Sequence, residues 1–150
     1  MEYDSTTDTL KHIMVVSSLV NQIIHRLIIR AEDHDNSKLY PPEKEIFDEY
    51  TPKLKETTYG SDEYKQYLSE MQVALFHHYK TNTHHPEHFK NGVNDMNLID
   101  IVEMLCDWKA ATLRDDDGDI YKSIEINTKR FGLSEQLAQI LKNTLTFLKW

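Results

Sequence analysis

One long run of residues, at positions 10–35, restricts the fold of this chain more than any other segment. It reads LKHIMVVSSLVNQIIHRLIIRAEDHD, and its apolar residues recur at the spacing of an α-helix. They form one broad face made of Leu10, Ile13, Val16, Leu19, Val20, Ile23 and Leu27. Residues 5–9, STTDT, offer side-chain oxygens that suit a helix N-cap. We therefore predict one long helix that ends between residues 34 and 38.

The remainder of the chain also predicts helices. Only four glycines and four prolines occur in 150 residues, so long segments run without a turn. Pro41 and Pro42 stop the first helix and start a second, because proline suits the first helical turn, and Pro52 ends or kinks that second helix. Ser61 and Ser134 are positioned as N-caps of later helices. These helices are expected at about 62–80, 97–114, 120–131 and 135–150.

The predicted elements form an all-α fold. Gly132 follows the fifth helix as a natural C′ residue. Apolar residues make up 39% of the chain, which is enough for a packed interior. We find no repeat, linker or domain boundary. The sequence predicts a single-domain helical bundle of about six helices over residues 1–150, whose last two helices either complete the core or form a dimer face.

Charge excludes one class of partner. The net charge is −8, and no basic run is present. Such a chain repels a phosphate polymer unless its basic residues are focused on one face, so binding to a nucleic-acid polymer is disfavoured. A small phosphorylated ligand remains compatible, because a bound cation changes the local field.

The sequence also carries expectations about cellular location. Cys106 is the one cysteine, so no intrachain disulfide forms, which suits a reducing cytoplasm. We expect no segment of the apolar length that a bilayer requires, and the N-terminus MEYDSTTDTLKH is acidic and polar, unlike a signal peptide. We therefore expect a cytoplasmic protein with no membrane partner.

Histidines are concentrated in the stretch HHYKTNTHHPEH, residues 77–88, which holds five of the eight in the chain. They are either a solvated surface tract or ligands for a metal. His78 lies on the apolar stripe of the predicted third helix, whereas His77 is offset and His88 is interpreted as a surface or supporting group. His84 and His85 begin a loop, where the backbone is free to aim a side chain.

Two other segments carry groups of the same kind. In EDHDNSK, residues 32–38, His34 and Asp35 are adjacent and Lys38 follows about one helical turn later. In the fourth predicted helix Asp100, Glu103 and Asp107 share one face, with Arg114 two turns further along it. Carboxylates on an otherwise apolar helix are costly to bury unless cations or histidines pair with them. Asp100 is alternatively a capping group.

Together the segments resemble the HD-domain metal-dependent phosphohydrolase superfamily. HDNSK at 34–38 is similar to its His-Asp motif with a trailing lysine, and CDWKAATLR at 106–114 to the helix that supplies its last aspartate. The combination HDxSK, HxxxNxHHPEH and EMxxDWxAA resembles an uncharacterised branch of phages and bacteria. The likeness spans residues 12–114.

The resemblance implies a ligand set. His34, Asp35 and Asp107 would hold the first metal, with His78 and either His84 or His85 as the extra histidines of two-metal members. Imidazole and carboxylate ligands suit one or two divalent Mn, Fe, Co, Ni or Zn ions.

The resemblance also implies catalytic roles and raises one geometric question. Lys38 and Arg114 would bind phosphate oxygens, and Glu103 would orient a ligand histidine or act as a base.

The family's first histidine corresponds to His12. Twenty-two residues separate it from His34, about 33 Å along an unbroken helix, so the two share a metal only if that helix breaks near residues 17–21.

The expected function is therefore that of a metal-dependent phosphohydrolase acting on a nucleotide or other small phosphate ester, with a metal-activated water as nucleophile. Two alternatives stand beside it. One is a non-catalytic HD-fold protein that binds a nucleotide or a protein partner and uses metal as a structural staple. The other is a di-iron oxygenase, which requires a full set of histidine ligands.

Overall fold

The computed structural model describes residues 3–58, 60–114 and 118–150. All regular structure in these ranges is helical, which confirms the all-α class. The described α-helices are α1 (Thr6–Asp33), α2 (Glu43–Glu56), α3 (Asp62–Glu70), α4 (Gln72–Thr81), α5 (Leu98–Thr112), α6 (Ile120–Phe131) and α7 (Glu135–Leu148). Short 3₁₀ turns cover Asn36–Leu39, Pro86–His88 and Gly92–Asp95. By its internal contacts the chain divides into two compact units, Met1–His34 and Asp35–Trp150.

The first unit is dominated by α1. This helix is 28 residues long, all of it lies within the described ranges, and none of its residues is buried. Most of its apolar side chains are exposed, Met14 most of all at 72%, and Leu27 and Ile29 are half-buried. With the 3₁₀ turn that follows, it forms a 34-residue segment whose most apolar window has a mean hydropathy of 1.4. By length and composition α1 is sufficient to cross a membrane, which corrects the expectation that no segment approaches that length.

The continuity of α1 decides the position of His12. The helix runs without a break from Thr6 to Asp33, so the rise of about 1.5 Å per residue places His12 roughly 33 Å from His34. Two residues so far apart cannot ligate one ion. The assignment of His12 to the same metal as His34 is therefore wrong within one chain.

The core of the second unit is built by α5, α6 and α7. Its buried apolar residues are Ile101, Met104, Leu105, Ile120, Ile124, Leu133, Leu141 and Leu145. One face of α5 supplies the first three of them, at helical spacing. Since this face is committed to the core, the polar residues of α5 at positions 103 and 107 point elsewhere.

Several helix ends agree with the predictions. Ser61 accepts from the backbone N–H of Tyr64 at 3.1 Å, and Ser134 accepts from that of Leu137 at 3.2 Å, as N-caps do. Gly132 ends α6 with φ of +65°, the left-handed conformation expected of a C′ glycine.

Two helix boundaries differ from the predictions. The helix expected at 62–80 is two helices, α3 and α4, because Met71 between them has ψ of 2° rather than the helical value. Pro52 lies inside α2, which continues to Glu56. The helix count is therefore seven α-helices in the described ranges instead of about six. Residues 115–117, between the helices predicted at 97–114 and 120–131, lie outside the described residues.

Candidate metal centre

Four side chains of the second unit converge on one point. Asp35, His78, His84 and His85 each offer one ligand atom, and all four atoms lie within 4.8 Å of one another. His78 and His84 are buried, and the other two are half-buried. The chain supplies them from three places: the start of the unit, the α4 helix and the loop after α4. Residues far apart in the sequence thus meet at one group of imidazoles and a carboxylate.

Two of the distances within this group match those of metal ligands. Oδ1 of Asp35 lies 3.4 Å from Nε2 of His78 and 3.5 Å from Nε2 of His84. Ligand atoms at about 2.1 Å from one ion in tetrahedral geometry are roughly 3.4 Å apart. Nε2 of His78 and Nε2 of His85 are 2.8 Å apart, the length of a hydrogen bond between two rings. Three imidazole Nε2 atoms and one carboxylate oxygen therefore face each other.

Asp35 owes its position to an unusual backbone conformation. It has φ of +56° and ψ of 14°, in the left-handed region that aspartate tolerates better than most residues. It lies directly before the 3₁₀ turn Asn36–Leu39. Its second oxygen, Oδ2, accepts from Nζ of Lys38 at 2.6 Å. The predicted lysine thus places a positive charge immediately beside the group.

Glu43 supports two histidines from the first position of α2. Its side chain is 0% exposed. One carboxylate oxygen lies 2.9 Å from Nδ1 of His78 and the other 2.7 Å from Nδ1 of His77. A carboxylate at Nδ1 holds the ring with Nε2 directed at a metal, as in carboxylate–histidine–metal triads. Glu43 was not predicted from the sequence, because a glutamate in a first helical turn ordinarily interacts with the positive end of the helix dipole.

A second pair of the same kind involves Glu103 and His84. Oε1 of Glu103 lies 3.0 Å from Nδ1 of His84, on the side of the ring opposite Asp35. Glu103 is thus placed to orient a histidine, one of the two roles expected of it. Asp100, which shares its helix face, closes a capping box with Asn97 and accepts from Thr83 at 2.5 Å. Asp100 therefore has the capping role that was the alternative to a place in the site.

Further polar residues brace the group. Asn82 donates through Nδ2 to Oγ of Ser37 and to the backbone oxygen of His78, each at 2.9 Å. Since Ser37 lies in the turn after Asp35, this amide links that turn to α4. Nδ1 of His88 lies 3.0 Å from the backbone oxygen of Tyr79, so His88 shapes the loop. Ser37 and Asn82 lie within the motifs HDNSK and HxxxNxHHPEH, but no role was predicted for them from the sequence.

The protonation of the rings favours metal binding. Burial, followed by the proximity of the His84 and His78 rings, lowers the pKa of His85 to about 3. Burial and then the charge of Lys38 lower the pKa of His78. Both imidazoles are therefore neutral near neutral pH, the state in which they ligate metals. Three imidazoles with one carboxylate form a donor set that fits Mn, Fe, Co, Ni or Zn.

The remaining predicted residues have different placements. One carboxylate oxygen of Asp107 lies within 4.8 Å of one of Asp35, so Asp107 adjoins the group. His84 and His85 both belong to the group, although the sequence left a choice between them. His34 ends the first unit as the C-cap residue of α1 and is peptide-bonded to Asp35. Arg114 is exposed in the turn after α5.

The comparisons with known proteins give one family. A model of a family of unknown function, DUF5662, matches residues 1–147. The chain belongs to DUF5662. No curated protein and no solved structure shows significant similarity to it. The function proposed for this DUF5662 chain therefore depends on the geometry of its own residues.

Proposed function

We propose that the chain is a metal-dependent phosphohydrolase of the HD type, acting on a nucleotide or other small phosphate ester. The convergence of Asp35, His78, His84 and His85 on one point is the observation that carries this proposal. Their ligand atoms have the spacing of a metal site, and two of the rings are held by glutamates from behind. Arrays of this composition bind divalent transition metals.

The residues around the group have separate tasks in this proposal. Asp35, His78, His84 and His85 hold one ion, and His34 and Asp107 are proposed ligands of the same or a second ion. A bound ion would supply an activated water and a Lewis acid for attack on phosphorus. Glu43 and Glu103 keep the imidazoles oriented, which preserves the geometry of the group.

Phosphate chemistry is supported by the charge beside the ligands. Nζ of Lys38 is 2.6 Å from Oδ2 of Asp35, and the side chain of Lys38 is 36% exposed. It therefore reaches both a ligand and the solvent, as a group that binds a phosphate oxygen must. Arg114, predicted for the same task, is exposed beyond the end of α5 and remains a weaker proposal.

A non-catalytic protein with a structural metal is the second candidate. One observation favours it: the group joins the turn after Asp35, the helix α4 and the loop after it, so an ion there would also staple the unit. The oxygenase alternative is not carried further, because it required His12 among the ligands and α1 is unbroken.

Elemental analysis of tag-free protein tests the proposal first. We expect the wild type to carry close to one equivalent or more of Mn, Fe, Co, Ni or Zn, and Asp35→Asn to lose most of it. Asp48→Asn is the matched control, since Asp48 is an exposed aspartate of the same unit that pairs with Lys44. Absence of metal from the wild type, even after incubation with each ion, would overturn the proposal.

Hydrolysis assays then separate the two candidates. Wild-type protein with its metal is assayed against nucleoside phosphates, sugar phosphates and p-nitrophenyl phosphate. We expect turnover that disappears in Asp35→Asn while the circular dichroism spectrum is kept. If Asp35→Asn loses its folded structure and the wild type hydrolyses none of these esters, the metal is structural.

A further inference from the structure

A cavity opens beside the candidate metal centre. It has a volume of about 520 Å³, within the range of about 300–1,000 Å³ typical of small-molecule sites. His85 and Asp107 are among its lining residues. The remainder of its described lining comes from α5, α6 and the residues next to these helices, together with Tyr79 of α4 and Pro86 and Glu87 of the loop after α4. A molecule with one end at His85 therefore extends toward α6.

One part of the cavity lining is aromatic. Tyr79, Trp108 and Phe131 all contribute to it. Trp108 and Phe131 are nearly parallel, with 7° between the ring planes and 6.2 Å between their centroids. The guanidinium carbon of Arg130 lies 4.6 Å from the centroid of Phe131, and the same residue pairs with Glu87 at 2.8 Å. These rings offer flat surfaces on which a planar heterocycle can stack.

A polar part of the lining belongs to α6, the helix that also carries Phe131. Lys122, Ser123, Asn127 and Arg130 fall on one side of this helix and all line the cavity. The side-chain amide of Asn127 lies 3.4 Å from Oγ of Ser123 and carries both donors and an acceptor. Such an amide can pair with the edge of a base. Two cations, Lys122 and Arg130, stand among these residues, whereas three other residues of the same lining are acidic: Glu87, Asp107 and Asp119.

We propose that this cavity holds the nucleoside part of a nucleoside monophosphate and that α6 determines which base is accepted. The base stacks against the aromatic lining beside Trp108, and Asn127 reads its edge. Lys122 adds a positive charge at the α6 side of the cavity. The placement of the phosphate at the His85 end rests on the function proposed above, whereas the recognition of the base rests on the cavity alone.

Two measurements test this inference on the metal-loaded protein. The first is kcat and KM for the four common ribonucleoside 5′-monophosphates and for ribose 5-phosphate. The second is equilibrium binding of the same compounds, followed by tryptophan fluorescence, which does not depend on turnover. Asn127→Ala and Lys122→Ala are compared with Lys129→Ala, an exposed lysine of α6 that lies outside the described lining.

We expect a preference for one nucleotide over ribose 5-phosphate. Asn127→Ala should raise KM for that nucleotide about tenfold with a much smaller change in kcat, and should narrow the preference among bases. Lys122→Ala should weaken binding of all four nucleotides, and Lys129→Ala should leave every constant unchanged.

The other outcomes separate this inference from the proposed function. Hydrolysis with equal kcat/KM for nucleotides and ribose 5-phosphate would overturn base recognition and leave the phosphohydrolase intact. Fluorescence binding of a nucleotide that Asn127→Ala weakens, without hydrolysis of any ester, would support base recognition and overturn catalysis. If the protein neither binds nor hydrolyses any of these compounds, base recognition and the proposed function are both overturned.

Discussion

Oε2 of Glu43 lies 2.9 Å from Nδ1 of His78, while Nε2 of the same ring lies 3.4 Å from Oδ1 of Asp35. The imidazole is thus held between two carboxylates, one behind it and one beside the candidate ion. Glu43 is fully buried and also contacts His77. A buried carboxylate needs such partners to offset the cost of its desolvation. The orientation of His78 therefore depends on the packing of α2 against α4.

The first prediction concerns this glutamate. Glu43→Ala should weaken metal binding by roughly 10–100-fold, because the ring of His78 loses the partner that orients it. Competition with a chromogenic chelator measures the affinity. Glu45→Ala, at an exposed position of the same helix, should bind metal as the wild type does. An unchanged affinity in folded Glu43→Ala would show that the ring is held by other means.

Removal of the metal should lower thermal stability. A ligand at about 100 times its Kd stabilises a folded protein by about 2.7 kcal/mol, which corresponds to a rise in Tm of roughly 5–10 °C for a chain of this size. Differential scanning fluorimetry with and without a chelator measures the shift. The double variant His84→Ala/His85→Ala should show no shift on chelation. A shift of the same size in that variant would place the stabilising ion elsewhere.

The metal-free protein should lose stability in mild acid. The pKa of His85 falls from its ordinary value of 6.5 to about 3 in the folded chain, so between these values the unfolded chain binds a proton that the folded chain does not. The contribution of this group is complete above pH 6.5 and decreases as the pH falls from 6.5 toward 3. The lowered pKa of His78 acts in the same direction.

Unfolding of chelated protein in urea at about pH 7.5 and about pH 5.5 measures this effect above the usual carboxylate range. The free energy of unfolding should be smaller at the lower pH, and the difference should shrink in His85→Gln. Equal stability at both pH values would contradict the assignment of a neutral, half-buried imidazole at position 85.

Gly132 offers a prediction about the fold that is independent of any metal. Its φ of +65° is left-handed, and a Cβ built there meets no atom within 4 Å in the described structure. Gly132→Ala should therefore cost about 1–2 kcal/mol from backbone strain alone, without a steric clash. Chemical denaturation measures it, with Lys129→Ala as the control on the same helix. A cost near zero would mean that the turn between α6 and α7 relaxes.

Local patterns were sufficient for most of the helices. The caps at Ser61 and Ser134 and the stop at Gly132 act within a few residues, so they are legible in a single sequence. The break between α3 and α4 at Met71 could not be predicted in this way, since no glycine or proline marks it. The exposure of most of α1 was not predicted either, because a broad apolar face by itself does not show what covers it.

The residues of the candidate site were predicted less completely than the helices. Asp35, His78 and either His84 or His85 were named because HDNSK and HxxxNxHHPEH resemble the motifs of a metal-binding superfamily. Glu43 was not predicted from the sequence. Its role depends on α2 and α4 lying side by side, and the local sequence PPEKE does not indicate that contact. His12 was misplaced because one unbroken helix separates it from His34.

The sequence by itself determined the helical class and most helix ends, because these depend on local spacing and on the propensity of each residue type, and its resemblance to a known superfamily suggested the candidate metal-binding side chains. Only the tertiary structure decided that both His84 and His85 join Asp35, that two glutamates stand behind the rings, and that a cavity lined by α6 opens next to them. Those relationships join residues that are distant in the chain, and they exist only when packing brings the helices together.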